Sequence, residues 1–325
     1  MMRSVEVEAV HMISAYCLGY QHFTVIPHQM RENFADMAEM GFDAVCLSFS
    51  ESEMTYSRRA FEIQVDLAKK AGLKVLAVPS RLGGRYAGAP LMPSIWLAFH
   101  PEYAVEIGWL PAACIEAKEF RAWIKEFLRQ LLTGYDLDGI VWDEPKGVEA
   151  VDTHQETVAR YGPNPTKEDM IHGFLEFQAE LSAFCKSIKP DISQTLFVQK
   201  SDPEAFTIEA AKIPEIEYFG YDGNLARQSF FHEEPKWLKY RLESVWERTQ
   251  SECRNGGKKT FALVENMLMP REAMPEFEVN FEMYLRNHRP DHLSIYYYAH
   301  NNEDPEGVQG IVRRLMKQYL KDRAR

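Results

Sequence analysis

Two acidic residues stand side by side where an apolar run in the middle of the chain ends. Asp143 and Glu144 close the strand-like stretch 138–143, and Pro145 follows them. Adjacent carboxylates repel each other, which raises the pKa of one of them and suits it to act as a general acid near neutral pH. A third carboxylate, Glu265, ends another apolar run. Carboxylates on both sides of a glycosidic bond can supply the acid and the nucleophile for its hydrolysis.

The elements that must position these carboxylates are eight short apolar runs separated by segments with helical spacing of apolar residues. The runs are continuously apolar, which is typical of parallel strands buried on both faces. Eight such units in about 300 residues predict an α/β fold, a (β/α)8 or TIM barrel that forms a single catalytic domain over 1–325. An open doubly wound sheet is the alternative, but no glycine-rich phosphate turn follows the first run. The predicted strands are 12–17, 43–49, 73–79, 138–143, 192–199, 215–221, 259–265 and 292–298.

Extended βα loops are expected after the third and fourth strands, at 81–117 and 145–170. In a barrel these loops lie on the catalytic face, where substrate pockets are built. Polar residues that end strands on this face are candidates for function, because burying them otherwise needs a reason. We expect a group of them to frame a sugar beside the catalytic carboxylates. The predicted substrate-binding residues are Asp143, Asp222, Glu51, Arg81, Arg85, Gln199, Lys200, Tyr298 and His300.

The segment Asp143-Glu144-Pro145 resembles the Asn-Glu-Pro signature of clan A, a large group of (β/α)8 retaining glycoside hydrolases. The longer string 138–145 also resembles strand four of uncharacterised glycosidase-like barrels. In clan A the glutamate of the signature is the acid/base, and a glutamate ending strand seven is the nucleophile. The resemblance therefore implies Glu144 as acid/base and Glu265 as nucleophile, with no cofactor and no metal. Asp143 departs from the signature, because an ionised carboxylate cannot donate a hydrogen bond to a sugar hydroxyl.

Other functions use the same residues differently. In barrels resembling α-glycosidases, Asp143 would be the nucleophile and Asp222 the acid. A barrel resembling metal-dependent sugar isomerases or epimerases would need ligands from Glu144, Asp222, Glu265 and His300. No histidine ends the middle strands, so the sequence favours a metal-free site. A carbohydrate-binding barrel without activity is the non-enzyme alternative.

The composition of the chain limits the kinds of partner that the protein is expected to bind. The net charge is −11, so a broad basic surface for nucleic acid is not expected. The five cysteines are scattered without a CxxC pair, so no zinc ribbon is predicted. The first residues lack the apolar core of a signal peptide, and no apolar run approaches the roughly 18 residues of a membrane span. We therefore expect a cytoplasmic protein that binds a small carbohydrate, with no nucleic acid and no membrane partner. A homo-oligomer is compatible with the sequence.

Overall fold

The computed structural model describes residues 12–17, 26–88, 91–108, 110–228, 240–296, 298 and 302–323. Eight parallel strands close into a barrel in the order β1-β2-β3-β6-β7-β8-β9-β10, which confirms the predicted TIM barrel. Two further strands, β4 and β5, form an antiparallel hairpin. The strands are β1 Met12–Tyr16, β2 Ala44–Ser50, β3 Lys74–Ser80, β4 Ala104–Glu106, β5 Pro111–Ala113, β6 Gly139–Asp143, β7 Ser193–Val198, β8 Tyr218–Asn224, β9 Lys259–Glu265 and β10 His292–Tyr296.

Helices alternate with the barrel strands and pack their apolar stripes on the outside of the barrel. The apolar stripe of α5 is buried, from Phe120 to Leu132. No helix within the described residues has the length and apolar character needed to cross a membrane. The helices are α1 Pro27–Glu39, α2 Glu51–Tyr56, α3 Arg58–Lys70, α4 Ile95–Phe99, α5 Lys118–Gly134, α6 Gln155–Tyr161, α7 Lys167–Ile188, α8 Glu204–Ala210, α9 Trp246–Gly256, α10 Met274–Asn287 and α11 Pro305–Arg323.

Strand alternation decides which side chains face the inside of the barrel. Phe197 of β7 and Phe261 of β9 stack inside it with ring centroids 5.2 Å apart. Asp143 is the register partner of Phe197, so its carboxyl also faces inward. Glu265 is the register partner of Tyr296, whose ring packs against the inner cluster. The carboxyl ends of the strands therefore present an acidic layer above the apolar interior.

The sixth barrel strand differs from its prediction. The expected range was 215–221, whereas β8 runs from Tyr218 to Asn224. A β-carbon added at Gly220 would lie 1.9 Å from the carbonyl oxygen of Phe261, so only glycine lets β8 approach β9 this closely. Gly220 and Gly223, whose residue type is also typical of a turn, therefore lie within β8. The shift moves Asp222 from the loop into the paired strand.

The described parts of the two long loops pack against each other. The loop after β3 contains α4 and the β4–β5 hairpin, and the loop after β6 contains α6. The amide of Ala87 donates to the carbonyl of Asp143 at 2.8 Å, and the amide of Lys146 donates to the carbonyl of Arg85 at 2.8 Å. These bonds hold both loops against the end of β6, where the adjacent carboxylates lie.

Candidate active site

Three carboxylates meet at the mouth of the barrel. Glu144 follows the fourth barrel strand, Asp222 lies in the sixth, and Glu265 ends the seventh. One side-chain oxygen of each residue lies within 4.8 Å of the other two. The closed barrel thus brings together acidic residues that are far apart in the sequence.

A fourth carboxyl group, that of Asp143, lies beside this cluster. It accepts a hydrogen bond of 2.8 Å from the hydroxyl of Tyr16, which ends the first barrel strand. Burial raises the pKa of Asp143 to about 7, and the charge of Glu144 acts in the same direction. The positive charges of Lys146 and Arg81 oppose this rise. The charge of Arg81 therefore acts on the carboxyl of Asp143. Both residues were predicted from the sequence to bind the substrate.

Glu144 is held as the ionised member of the cluster. Burial alone would raise the pKa of its carboxyl, but the ammonium of Lys146 and hydrogen bonds from Asp222, Lys146 and Gln199 outweigh burial and lower it. Lys146 Nζ forms an ion pair with Glu144 Oε2, and Gln199 Nε2 donates to Oε1 at 2.9 Å. The backbone φ of Glu144 is +38°, an uncommon value for a residue with a side chain. Backbone strain of this kind clusters at functional sites.

The other two carboxyls of the cluster favour their protonated forms. Burial raises the pKa of Glu265 to about 7, and the negative charge of Glu144 raises it further, although a hydrogen bond from Gln228 opposes the rise. The Gln228 amide donates to Glu265 Oε2 at 3.2 Å. Burial, followed by Glu144, also raises the pKa of Asp222. The site therefore combines one carboxyl whose surroundings favour the ionised form with two neighbouring carboxyls whose surroundings favour the protonated form.

Two of the predicted substrate-binding residues instead hold the loops together. The buried Glu51 accepts hydrogen bonds from the backbone amides of Gly83, at 2.8 Å, and Trp96, at 2.6 Å. Arg85 Nε donates to the carbonyl of Ala113 at 2.7 Å and its side chain is 2% exposed. Both side chains thus bind loop backbone in this structure, and a contact of either with a sugar stays a prediction.

Two more predicted residues form hydrogen bonds to residues outside the cluster. Tyr298 donates its hydroxyl to Asp36 of α1 at 2.6 Å, on the outside of the barrel. Lys200 Nζ donates to Ser244 Oγ at 2.8 Å. Their role in framing a sugar stays a prediction. His300 lies outside the described residues.

Several residues of the site were missed by the sequence analysis. Lys146 stands in an ordinary loop sequence, two positions after Glu144, and only the turn of the chain at Pro145 brings its ammonium back to that carboxylate. Gln228 comes from the loop after β8 and gave no signal. Tyr16 lies one residue before the end of the predicted strand 12–17, and only its hydrogen bond to Asp143 shows that it belongs to the site.

The cluster also has the donor set for a divalent cation. Hard cations such as Mg²⁺ and Ca²⁺ prefer carboxylate oxygens. Within the described parts of the chain, Glu144, Asp222 and Glu265 are the one group of three acidic, histidine or cysteine side chains close enough to share an ion. The ammonium of Lys146 already neutralises part of this charge.

No protein-family model and no curated protein matches the sequence. Solved structures share the fold at low identity. A β-galactosidase from the haloarchaeon Halorubrum lacusprofundi matches with a TM-score of 0.67 and 9% identity over 95% of this chain and 58% of that one. A β-galactosidase from Marinomonas ef1 gives a TM-score of 0.65 and 9% identity over 96% and 60% of the two chains. The endo-1,4-β-mannanase from Rhizomucor miehei gives 0.61 and 12% over 96% and 95%.

The chain thus spans about 60% of the length of the two β-galactosidases. At these identities the likeness concerns the barrel, whose strands end at the acidic cluster described above. The protein shares a TIM-barrel fold with glycoside hydrolases.

Proposed function

We propose that the protein is a glycoside hydrolase that acts on a small glycoside or a short oligosaccharide through Glu144 and Glu265. One observation carries the proposal: side-chain oxygens of the two residues come within 4.8 Å at the mouth of the barrel, while their surroundings shift their pKa values in opposite directions. Carboxyl groups about 5–5.5 Å apart are typical of retaining glycosidases. The spacing supports a retaining reaction with a covalent intermediate.

The charges support a particular division of roles. Pairs of carboxyls whose pKa values are pushed apart by their environments separate into an acid and an ionised partner. Lys146 favours the ionised form of Glu144, and burial favours the protonated form of Glu265. We therefore assign Glu144 as nucleophile and Glu265 as acid/base, the reverse of the roles that the clan A resemblance implies.

The reaction then runs in two steps. The Glu144 carboxylate attacks the anomeric carbon while the bond to the leaving oxygen breaks, and Glu265 gives its proton to that oxygen. Glu265, now ionised, takes a proton from water, whose oxygen attacks the anomeric carbon and releases Glu144. Asp143, Asp222, Arg81 and Gln199 surround the bound sugar in this proposal.

The aspartate pair receives less support. An α-glycosidase arrangement would need an ionised Asp143 as nucleophile, but burial raises the pKa of this residue to about 7. Asp222, its acid in that arrangement, shares a hydrogen bond with Glu144. Asp222 therefore stabilises the charge of Glu144 in our proposal and does not transfer the proton to the leaving group.

The experiment combines alanine variants with activated substrates. The wild-type protein is assayed on a panel of 4-nitrophenyl and 2,4-dinitrophenyl glycosides. Glu265→Ala is expected to retain activity on the dinitrophenyl substrate, whose leaving group needs no proton, and to form a glycosyl azide of retained configuration with azide. Glu144→Ala is expected to lose activity on both substrates, and azide would yield the inverted glycosyl azide.

A buried carboxylate outside the site provides the control. Glu252 binds the hydroxyl of Tyr221 at 2.7 Å behind β8, so Glu252→Ala removes a buried charge without touching the cluster. Its activity should stay close to that of the wild type. If Glu265→Ala gave the inverted glycosyl azide and Glu144→Ala the retained one, Glu144 would be the acid/base and Glu265 the nucleophile, as the clan A resemblance implies. A wild-type protein that hydrolyses no glycoside of the panel would reject the proposal.

A metal-dependent sugar isomerase or epimerase is the second candidate. It is favoured by the convergence of Glu144, Asp222 and Glu265 within 4.8 Å. The ion pair between Lys146 and Glu144 argues against it, because the ammonium competes with a cation for the same oxygen. Aldose–ketose interconversion with added Mg²⁺ or Mn²⁺, abolished by chelation, would select this candidate, whereas hydrolysis by the glutamate pair should survive chelation.

A further inference from the structure

A fully buried amide lies on the same face of β8 as Asp222. Side chains alternate along a strand, so residues 222 and 224 point to the same side. Tyr221 points the other way, because its hydroxyl reaches Glu252 of α9 outside the barrel. Asn224 is also the register partner of Glu265, so these two side chains leave neighbouring strands on the inner face. The Asn224 amide therefore lies at the barrel mouth, next to the acidic cluster.

Among the residues that the structure describes, neither polar atom of this amide has a hydrogen-bond partner: Oδ1 and Nδ2 of Asn224 are both unpaired there. Asn224 is 0% exposed. Buried amides are almost always hydrogen-bonded, because leaving them unpaired in the protein interior is unfavourable. Two other amides of the site are already used: Gln199 donates to Glu144 and Gln228 donates to Glu265. Within the described part of the chain, no hydrogen bond therefore offsets the free-energy cost of burying the Asn224 amide.

We propose that Asn224 determines glycone specificity by binding hydroxyl groups of the sugar through its unpaired amide. This inference rests on the proposed hydrolase function. A carboxamide offers one acceptor and two donor hydrogens in a plane. A sugar hydroxyl both donates and accepts, so two neighbouring hydroxyls can pair with the oxygen and the nitrogen of the same amide.

The acidic surroundings make such an amide useful. Asp143 cannot donate a hydrogen bond when it is ionised, and the cluster around it consists of further carboxyls. Asn224 adds a neutral donor close to Glu265 without another charge. Asn224 is 0% exposed, so a sugar reaches its amide only when the side chains that cover it move.

The test compares Asn224→Ala with the wild type on single-deoxy substrates. For the aryl glycoside that the wild type hydrolyses best, kcat/KM is measured for the parent and for each monodeoxy analogue. The variant should lose about tenfold or more on the parent. The loss should disappear for the analogue that lacks the hydroxyl bound by Asn224. Equal losses on all analogues, or no loss, would overturn the inference.

A stability measurement separates binding from a structural role. Asn224→Ala should not lower the Tm, because the amide makes no hydrogen bond within the described protein. The matched control is Asn280→Ala: the amide of Asn280 donates to the carbonyl of Leu225 at 2.7 Å, outside the site. The control should lower the Tm and leave the preference among deoxy substrates unchanged. A lower Tm for Asn224→Ala together with uniform losses would identify a structural residue.

A binding measurement tests the role of Asn224 even if the protein hydrolyses no glycoside. If the wild type hydrolyses no glycoside, the proposed function fails, and Asn224 is then tested with a panel of polyhydroxylated piperidines by calorimetry. Binding should be at least about tenfold weaker in Asn224→Ala than in the wild type. Equal affinities, or no binding by either protein, would overturn the inference about Asn224.

Discussion

The ammonium of Lys146 forms an ion pair with the carboxylate of Glu144, two residues earlier in the chain. Glu144 is the first residue after the fourth barrel strand and has a positive φ, so the chain turns sharply at this point. The amide of Lys146 is held by the carbonyl of Arg85, from the loop after the third barrel strand. One loop therefore fixes the cation that decides which carboxylate of the cluster is ionised.

Replacing Lys146 with methionine should move the acidic limb of the pH profile. The lysine lowers the pKa of Glu144, so its removal raises that pKa, and the limb of kcat/KM that reports the nucleophile should shift upward by about 1 to 3 pH units. The pKa values of Asp222 and Glu265 should also rise, because Lys146 lowers both. The basic limb should therefore move in the same direction. The measurement is kcat/KM of an aryl glycoside from pH 3 to pH 9.

The control for this profile is an ion-paired lysine at the other end of the barrel. Lys69 Nζ lies 2.7 Å from Asp138, just before the start of β6. Lys69→Met should leave both limbs of the profile unchanged, even if it lowers stability. Unchanged limbs in Lys146→Met would show that the ion pair does not set the charge of Glu144.

Tyr16→Phe should impair catalysis through Asp143. The hydroxyl of Tyr16 donates to Asp143 Oδ2 at 2.8 Å, and both residues are buried. Without this bond the carboxyl of Asp143 loses its orientation and its pKa rises further. A buried hydrogen bond contributes about 0.5–1.5 kcal/mol, so kcat/KM should fall about 2- to 10-fold. Steady-state rates at several pH values measure the effect.

Tyr86→Phe provides the comparison for Tyr16→Phe. The hydroxyl of Tyr86 donates to Gln178 at 2.7 Å behind the barrel, so this variant also loses a buried hydrogen bond. The two variants should lose similar stability, but only Tyr16→Phe should lose activity. Equal activity in both would mean that the bond to Asp143 serves folding alone.

The barrel could be predicted because parallel strands buried on both faces leave long apolar runs. The seventh strand was predicted with its observed limits, Lys259–Glu265. The ends of the sixth strand could not be predicted correctly, because Tyr-Asp-Gly-Asn at 221–224 is also typical of a turn. Its strand conformation depends on the approach of β8 to β9 at Gly220, a contact between segments about 40 residues apart.

The candidate site was predictable where function depends on strand ends. Asp143, Glu144, Asp222 and Glu265 converge because parallel strands finish at one rim. Which of these carboxyls is ionised could not be predicted from the sequence, because this depends on Lys146. The contact of Lys146 with Glu144 forms only through the way the backbone turns between them. The hydrogen bonds of Glu51 and Arg85 to loop backbone could not be predicted for a related reason, because residue type alone does not indicate such bonds.

Gly220→Ala tests the close approach of the sixth and seventh barrel strands. The added β-carbon would meet the backbone of Phe261, which cannot move without disturbing the ladder between β8 and β9. The free energy of unfolding should fall by about 3 kcal/mol or more. At Gly134, the last residue of α5, a β-carbon would meet nothing within 4 Å. Gly134→Ala should be neutral or stabilise by up to about 1 kcal/mol in the same urea titration.

Glu265→Gln should stabilise the protein more at high pH than at low pH. Burial raises the pKa of Glu265 to about 7 in the folded state, against about 4.3 in the unfolded chain. Between pH 4.3 and pH 7 the folded state binds more protons than the unfolded chain, so the contribution of Glu265 to stability falls as the pH rises.

Glu265→Gln cannot ionise and therefore escapes this loss of stability. At pH 8 the variant should exceed the wild type by about 3–4 kcal/mol, because the two pKa values differ by about 2.7 units and one pKa unit corresponds to about 1.4 kcal/mol. At pH 5, which is close to the unfolded pKa, the gain should be only about 1 kcal/mol, as measured by urea unfolding. Glu102, whose side chain is 61% exposed, supplies the control, since Glu102→Gln should give the same small difference at both pH values. An equal gain for Glu265→Gln at pH 5 and pH 8 would show that its carboxyl does not retain its proton in the folded state.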